Sequence, residues 1–177
     1  MLNDNPQWVA LYTHSRAEKS AVQNLQNAGF EAYLPLQHIR RQWSDRWKVV
    51  EVPLFRSYVF AKICAKDVTP VRNTAGVVCI VSWHNQAAII PEKEIAAIKR
   101  LMDSEKEIYV KSTSQLKRGT RVRILEGPFV NMEGLLVSDC EAGNFSISIT
   151  GLDFSLVTTI EQSILAPIID DNPTQQE

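Results

Sequence analysis

Residues 105–115, EKEIYVKSTSQ, carry neither a helical nor a strand period, and the charge balance changes sign across them. Residues 1–104 hold 13 Lys and Arg against 9 Asp and Glu, whereas residues 105–177 hold 6 against 11. A chain of 177 residues divided in this way reads as two small domains that face different partners. The expected layout is a first domain at 1–104, a linker at 105–115, a second domain at 116–169 and a disordered tail at 170–177, DDNPTQQE.

Composition narrows the class. Hydrophobic residues make up 45% of the chain and charged residues 22%, the balance of a globular protein. No apolar run approaches the roughly 18 residues that a membrane helix needs. The start, MLNDNP, has neither a basic nor an apolar stretch, so the expectation is a cytoplasmic protein with no membrane association. Cys64, Cys79 and Cys140 form no close pair of the zinc or redox type and read as buried thiols. With no phosphate loop, no nucleophile elbow and no His/Cys cluster at ligand spacing, neither an enzyme nor a metal or cofactor site is expected.

The first domain reads as α+β. Residues 8–13, WVALYT, form a strand, and a helix over 16–28 follows from a capping box at Ser15 to Glu18, with Ala17, Ala21, Leu25 and Ala28 at helical spacing. Residues 30–36 predict a second strand, 37–52 a polar ribbon turning near 44–46, and 53–63 and 77–83 two central strands. Pro91 opens a helix whose inward stripe is Ile95, Ile98, Leu101 and Met102.

The second domain changes in kind: short β-rich runs at 120–125, 133–138, 145–150 and 155–160 alternate with Gly, Asn and Asp turns, which predicts a small barrel. Its most specific stretch is 119–134, GTRVRILEGPFVNMEG. Gly119, Gly127 and Gly134 punctuate it, Pro128 fixes a corner, Phe129 can plug the barrel, and Gly127 and Gly134 can take positive φ in tight turns. This stretch resembles a KOW motif.

The first domain adds to the resemblance. Trp8 and Tyr12, the helix after them, the segment 53–60 (PLFRSYVF), Gly76 with Val77, and Ile89, Ile90 and Pro91 together resemble the N-terminal (NGN) domain of the NusG family. The likeness spans roughly residues 7–168. It implies an NGN-like antiparallel sheet with flanking helices, a linker and a small KOW barrel. Where general members usually carry Pro-Gly before the tyrosine, this chain has Arg56 and Ser57, which suggests a specialised member similar to RfaH or the UpxY-type factors of polysaccharide operons.

The resemblance also implies a partner and a site. In the family an apolar cavity on the first domain grips the clamp helices of RNA polymerase, and the matching positions are Tyr12, Phe55, Tyr58, Phe60, Ile95 and Ile98. Alternation along the strand puts Tyr58 and Phe60 on one face. Through the KOW domain the family reaches a ribosomal protein or Rho, and a monomer is expected. The strand-favouring Val122, Ile124, Val137, Ile147 and Ile149 point to a stable barrel here rather than one that switches to helices.

The ribbon offers a second surface. Arg40, Arg41, Arg46 and Lys48 stand among Trp43 and Trp47 within residues 40–48, so cations can meet phosphates and an indole can stack on an unpaired base. The expected ligand is the non-template DNA strand, with Arg16 and Arg72 as extensions. The competing reading is a KOW-bearing RNA-binding or ribosome-associated protein that never meets polymerase.

Overall fold

The computed structural model describes residues 2–43, 46–83, 86–104, 106–112, 119–137, 144–149, 152, 154–160 and 162–168. The chain separates into two units, one built on Met1–Asp103 and the other on Ser104–Ser148 and Asp153–Glu177.

In the first unit, strand β1 (Gln7–Thr13) is central. Strand β5 (Tyr58–Ile63) pairs antiparallel with it from Gln7–Ile63 to Tyr12–Tyr58, and β2 (Glu31–Tyr33) flanks β5. The other edge of β1 is shared: β6 (Val77–Ile80) pairs with Leu11 to Thr13, and β9 (Ile89–Ile90) with Trp8 and Val9. The expectation of a central strand at 77–83 is therefore corrected. β6 lies at the edge of the sheet order β2-β5-β1-β6, since among the described residues it pairs with β1 on one side and with no strand on the other. Beyond β6 the chain enters a short hairpin, β7 (Ser82–Trp83) with β8 (Gln86–Ala87).

Side chains alternate across this sheet. Val9, Leu11, Val59, Ala61 and Ile63 point to one face, where they bury Ala21 and Leu25 of helix α1 (Glu18–Asn27) and Val71 of α2 (Val68–Arg72). Trp8, Ala10 and Phe60 point to the other face, on which α3 (Glu92–Met102) packs with Ile95, Ile98 and Leu101 buried. Helix α3 starts after Pro91, as the sequence implies. Helix α1 starts later than the expected 16–28: Arg16 sits at φ 63, and Ala17 precedes the helix without a side-chain cap bond. A left-handed residue at 16 cannot belong to a right-handed helix, so Ser15 makes no capping box.

Between β2 and β5 the chain projects as a ribbon, β3 (Leu36–Gln42) with β4 (Trp47–Pro53), in register from Leu36–Pro53 to Gln42–Trp47. Trp43 and Arg46 exchange backbone hydrogen bonds of 2.9 and 3.3 Å at its end. The turn residues Ser44 and Asp45 lie outside the described residues, as does Cys140.

Among the described residues the second unit is β-rich, with one short 3-10 turn at Gln162–Ile164. Strands β10 (Ile108–Ser112), β11 (Thr120–Ile124), β12 (Glu133–Val137), β13 (Asn144–Ile149), β14 (Phe154–Thr159) and β15 (Leu165–Pro167) form one sheet in the order β10-β14-β13-β12-β11-β15. Val122, Ile124, Val137 and Ile147 are buried in it, and Ile149, the last residue of β13, is buried as well. Strand β10 corrects the linker expectation, since Ile108 to Ser112 of that stretch pair with β14. Its alternation, Ile108 buried and Val110 half-buried against exposed Tyr109 and Lys111, spans too few residues to stand out from polar flanks. Residues 113–115 and the expected tail at 170–177 lie outside the described residues.

The glycine-marked turn joins β11 to β12. Gly127 takes φ 84 with open space around it, and Phe129 is buried. Gly134 departs from the expected positive φ. It is required by close approach, because a Cβ there would stand 2.4 Å from the Ser146 carbonyl and 2.6 Å from the Phe145 ring. Gly134→Ala is therefore expected to cost the second unit about 2–3 kcal/mol, against about 1 kcal/mol for Gly127→Ala. Urea unfolding followed through β12 and β13 amide exchange checks the ranking, and equal costs would refute it.

Candidate functional site

The six positions that the resemblance assigns to a docking face are split by the structure. Phe55, Phe60, Ile95 and Ile98 are buried, none more than 2% exposed, whereas Tyr12 is 41% exposed and Tyr58 half-buried. The cause is the position of α3. An amphipathic helix has one apolar stripe, and that of α3 is spent on the sheet end that carries Trp8 and Phe60. Phe60 also packs edge-on to Phe55 and stacks with Tyr33, at centroid separations of 5.8 and 6.4 Å.

Tyr12 and Tyr58 lie on the same sheet face at the other end. They are cross-strand partners whose rings meet edge to face at 5.4 Å with an interplanar angle of 71°, Tyr12 being exposed and Tyr58 half-buried. Partial burial pushes the Tyr58 phenol above its ordinary pKa, with smaller contributions from Tyr12 and Cys79. Cys79 pairs with Tyr12 across the β1–β6 edge, and next to it Val78 is 43% exposed. Val78 is a missed residue: it falls at the irregularity in the β1–β6 register, which turns it outward although the sequence places it inside an apolar run.

The loop before Tyr58 holds another. Ser57 takes φ 62, a conformation that favours glycine, and its N–H donates to Glu18 Oε1 at 2.8 Å. Glu18 is buried at 6% exposure. Read from sequence it belongs to a capping box; in the structure its carboxylate reaches across 39 positions of chain instead.

The ribbon is exposed along its outer half. Trp43 and Trp47 are 60% and 65% exposed, so neither packs on the domain. Register decides what each accompanies. Paired residues share a face, so Arg41 with Lys48 and Trp43 with Arg46 form one side, while Arg40 with Val49 and Gln42 with Trp47 form the other. Among the described residues, none of the four cations pairs with a carboxylate. At the root, Lys19 of α1 and His38 of β3 meet Glu51 at 2.9 and 3.4 Å, and the Lys19 ammonium holds the Glu51 carboxyl below its usual range. Arg16, in the β1–α1 loop, and Arg72, at the end of α2, are exposed but belong to other elements than the ribbon.

Geometry of this kind offers apolar docking and contact with a polyanion. Among the described residues no group of His, Cys, Asp and Glu is arranged to hold a metal ion, and no helix is long and apolar enough to cross a membrane.

Comparison with known proteins gives one family. The family described as NusG, "Transcription termination factor nusG", has a model that matches residues 6–99. The transcription termination/antitermination protein NusG of Staphylococcus aureus (strain N315) is 26% identical, with 87% of this chain and 90% of the relative covered. That of Staphylococcus epidermidis is 27% identical with the same coverage. Among solved structures, "Domain interaction in Thermotoga maritima NusG" is similar in fold, with a TM-score of 0.53 and 22% identity over 93% of this chain and 98% of that one.

The split between buried and open positions predicts different fates for substitutions. Ile98→Asp places a charge in the core and is expected to cost more than about 4 kcal/mol, unfolding the first unit. Tyr12→Ala and Tyr58→Ala are expected to cost about 1–2 kcal/mol each and leave a folded protein. Denaturant titration of the three variants decides, and a well-folded Ile98→Asp protein would contradict the burial.

Proposed function

Because this chain belongs to the NusG family, we propose that it is a transcription elongation and antitermination factor whose first unit docks on the clamp helices of RNA polymerase through Tyr12 and Tyr58. The observation that carries the reading is that aromatic pair, exposed at Tyr12 and half-buried at Tyr58, at the end of the sheet face away from the part under α3. Aromatic side chains are strong interface anchors because each hides a large apolar area on docking. The partners follow from the family, and with them a cytoplasmic, monomeric protein that performs no covalent chemistry.

The mechanism needs differential binding alone. A factor that binds the elongating state of polymerase more tightly than the paused state shifts the population toward elongation. The β3–β4 ribbon would add contact with the exposed non-template strand, its cations meeting phosphates and Trp43 or Trp47 meeting a base. The second unit, tethered to the docked one, would recruit a ribosomal protein or Rho at high effective concentration. Action on selected, polysaccharide-type operons belongs to the same proposal and is supported by Arg56 and Ser57 before the docking tyrosine, and by the Trp- and Arg-rich ribbon.

Retention on core RNA polymerase is the test. The wild-type chain is expected to be retained, and Tyr12→Ala combined with Tyr58→Ala to weaken binding at least about tenfold, the loss of one or two anchors. No retention of the wild-type chain removes the polymerase reading in favour of an RNA- or ribosome-associated role. For the ribbon, affinity for single-stranded DNA is measured against salt. Replacing Arg41, Arg46 and Lys48 by Ala is expected to flatten the log–log slope by about 2, at about 0.7 for each phosphate that is no longer neutralised. An unchanged slope removes the ribbon from the interface.

A further inference from the structure

We propose that Glu18 is a positioning residue for the Tyr12–Tyr58 pair: its buried carboxylate holds Ser57 in the left-handed conformation that sets Tyr58 against Tyr12. The functional consequence rests on the polymerase-docking reading, whereas the positioning itself rests on geometry.

Glu18 is the first residue of α1, where the positive end of the helix dipole favours its negative charge. A carboxylate at 6% exposure is costly to bury unless it is hydrogen-bonded, and the Ser57 N–H donates to it at 2.8 Å. The other backbone polar group of Ser57 is held as well, since its carbonyl accepts the Thr13 N–H at 2.9 Å. Ser57 is thus fixed from α1 on one side and from β1 on the other. Thr13 follows Tyr12 and Ser57 precedes Tyr58, so these two bonds act on the residues next to the ring pair.

A φ of 62 is uncommon for serine and carries a steric cost. Removing the Glu18 acceptor leaves the Ser57 N–H buried in part and unbonded, and the relaxation open to Ser57 is a return to negative φ. Such a return turns the peptide plane ahead of Tyr58. The tyrosine ring then leaves the edge-to-face contact at 5.4 Å, and the anchor presented to a partner is no longer preorganised.

Three variants test this by nuclear magnetic resonance and polymerase retention: Glu18→Ala, Glu18→Gln, and Glu18→Ala combined with Ser57→Gly. Glu18→Ala is expected to speed exchange of the Ser57 amide at least about tenfold, to abolish Tyr12–Tyr58 ring cross-peaks and to weaken polymerase binding about tenfold. Amides of β1 and β5 should stay protected. Glu18→Gln keeps an acceptor oxygen and is expected to stay within about twofold of wild type on all three readouts. Adding Ser57→Gly to Glu18→Ala should restore the ring contact and the binding, because glycine takes positive φ unaided.

Ring cross-peaks that persist in Glu18→Ala overturn the proposal. So does a folded Glu18→Gln protein without them, which keeps the test decisive where Glu18→Ala fails to fold. A wild-type chain that polymerase does not retain, with ring contact still dependent on Glu18, sinks the docking reading and supports the positioning role. Retention intact with no such dependence does the reverse.

Discussion

Strand β1 is the constraint on which the first unit depends. Its residues Trp8 to Leu11 are buried on both faces, and three strands hydrogen-bond to its two edges. Period-two alternation sends Val9 and Leu11 under α1, and Trp8, Ala10 and Tyr12 to the opposite side. A slip of one residue would exchange these sets and drive Tyr12 into the α1 core. Exposure of Tyr12 is therefore a consequence of register, and register is secured by the burial of Trp8 to Leu11 and Thr13 on the same strand.

The face that carries Tyr12 is divided by α3. Over its covered end the helix also places Lys99, whose Nζ lies 5.4 Å from the Trp8 ring centroid and 5.3 Å from that of Tyr33. Lys62 of β5 reaches Trp8 at 6.0 Å and pairs with Glu92 of α3 at 3.1 Å. Burial pushes the Tyr33 phenol up to about 12, with Asp103 adding to it, so that ring stays neutral under the cation. The aromatic residues of the face thus fall into a capped group around Trp8 and Phe60 and an open pair at the other end.

Legibility followed the range of the determining interaction. The 3.6-residue stripe of α3, the alternation in β1 and the GPF turn are local patterns, and these elements formed where their patterns lie; the strand expected over 53–63 begins only at Tyr58, because Pro53 ends β4 and residues 54–57 turn. The docking assignment of Phe60, Ile95 and Ile98 came from resemblance, which carries residue identity but cannot say that α3 will lie across them. The link from Glu18 to Ser57 was unreadable for a different reason. Their bond spans 39 positions, and although Ser57 stands where general members carry a glycine, that hints at the turn and says nothing of its partner. Strand β10 was lost because two inward residues are too few to establish a period.

The ribbon raises a question of stability, since a two-stranded hairpin alone is marginal in water. Its root answers part of it: Leu54 N–H donates to the Pro35 carbonyl at 2.9 Å, next to the Leu36–Pro53 pair, and the Glu51 carboxylate is reached from α1 and from β3. The exposed ion pairs there add little on their own, so backbone pairing at the base does most of the holding. Further out, backbone pairing continues to Trp43 and Arg46, while the two indoles stay exposed. Trp43 and Trp47 leave unclaimed the roughly 1–3 kcal/mol that stacking on one base returns. Because cross-strand pairing puts Trp43 with Arg41, Arg46 and Lys48, and Trp47 with Arg40, the two indoles are not equivalent. On the proposed reading a single strand of nucleic acid following one side meets three cations and an indole, whereas the other side offers one of each, so charge favours contact on the Trp43 side.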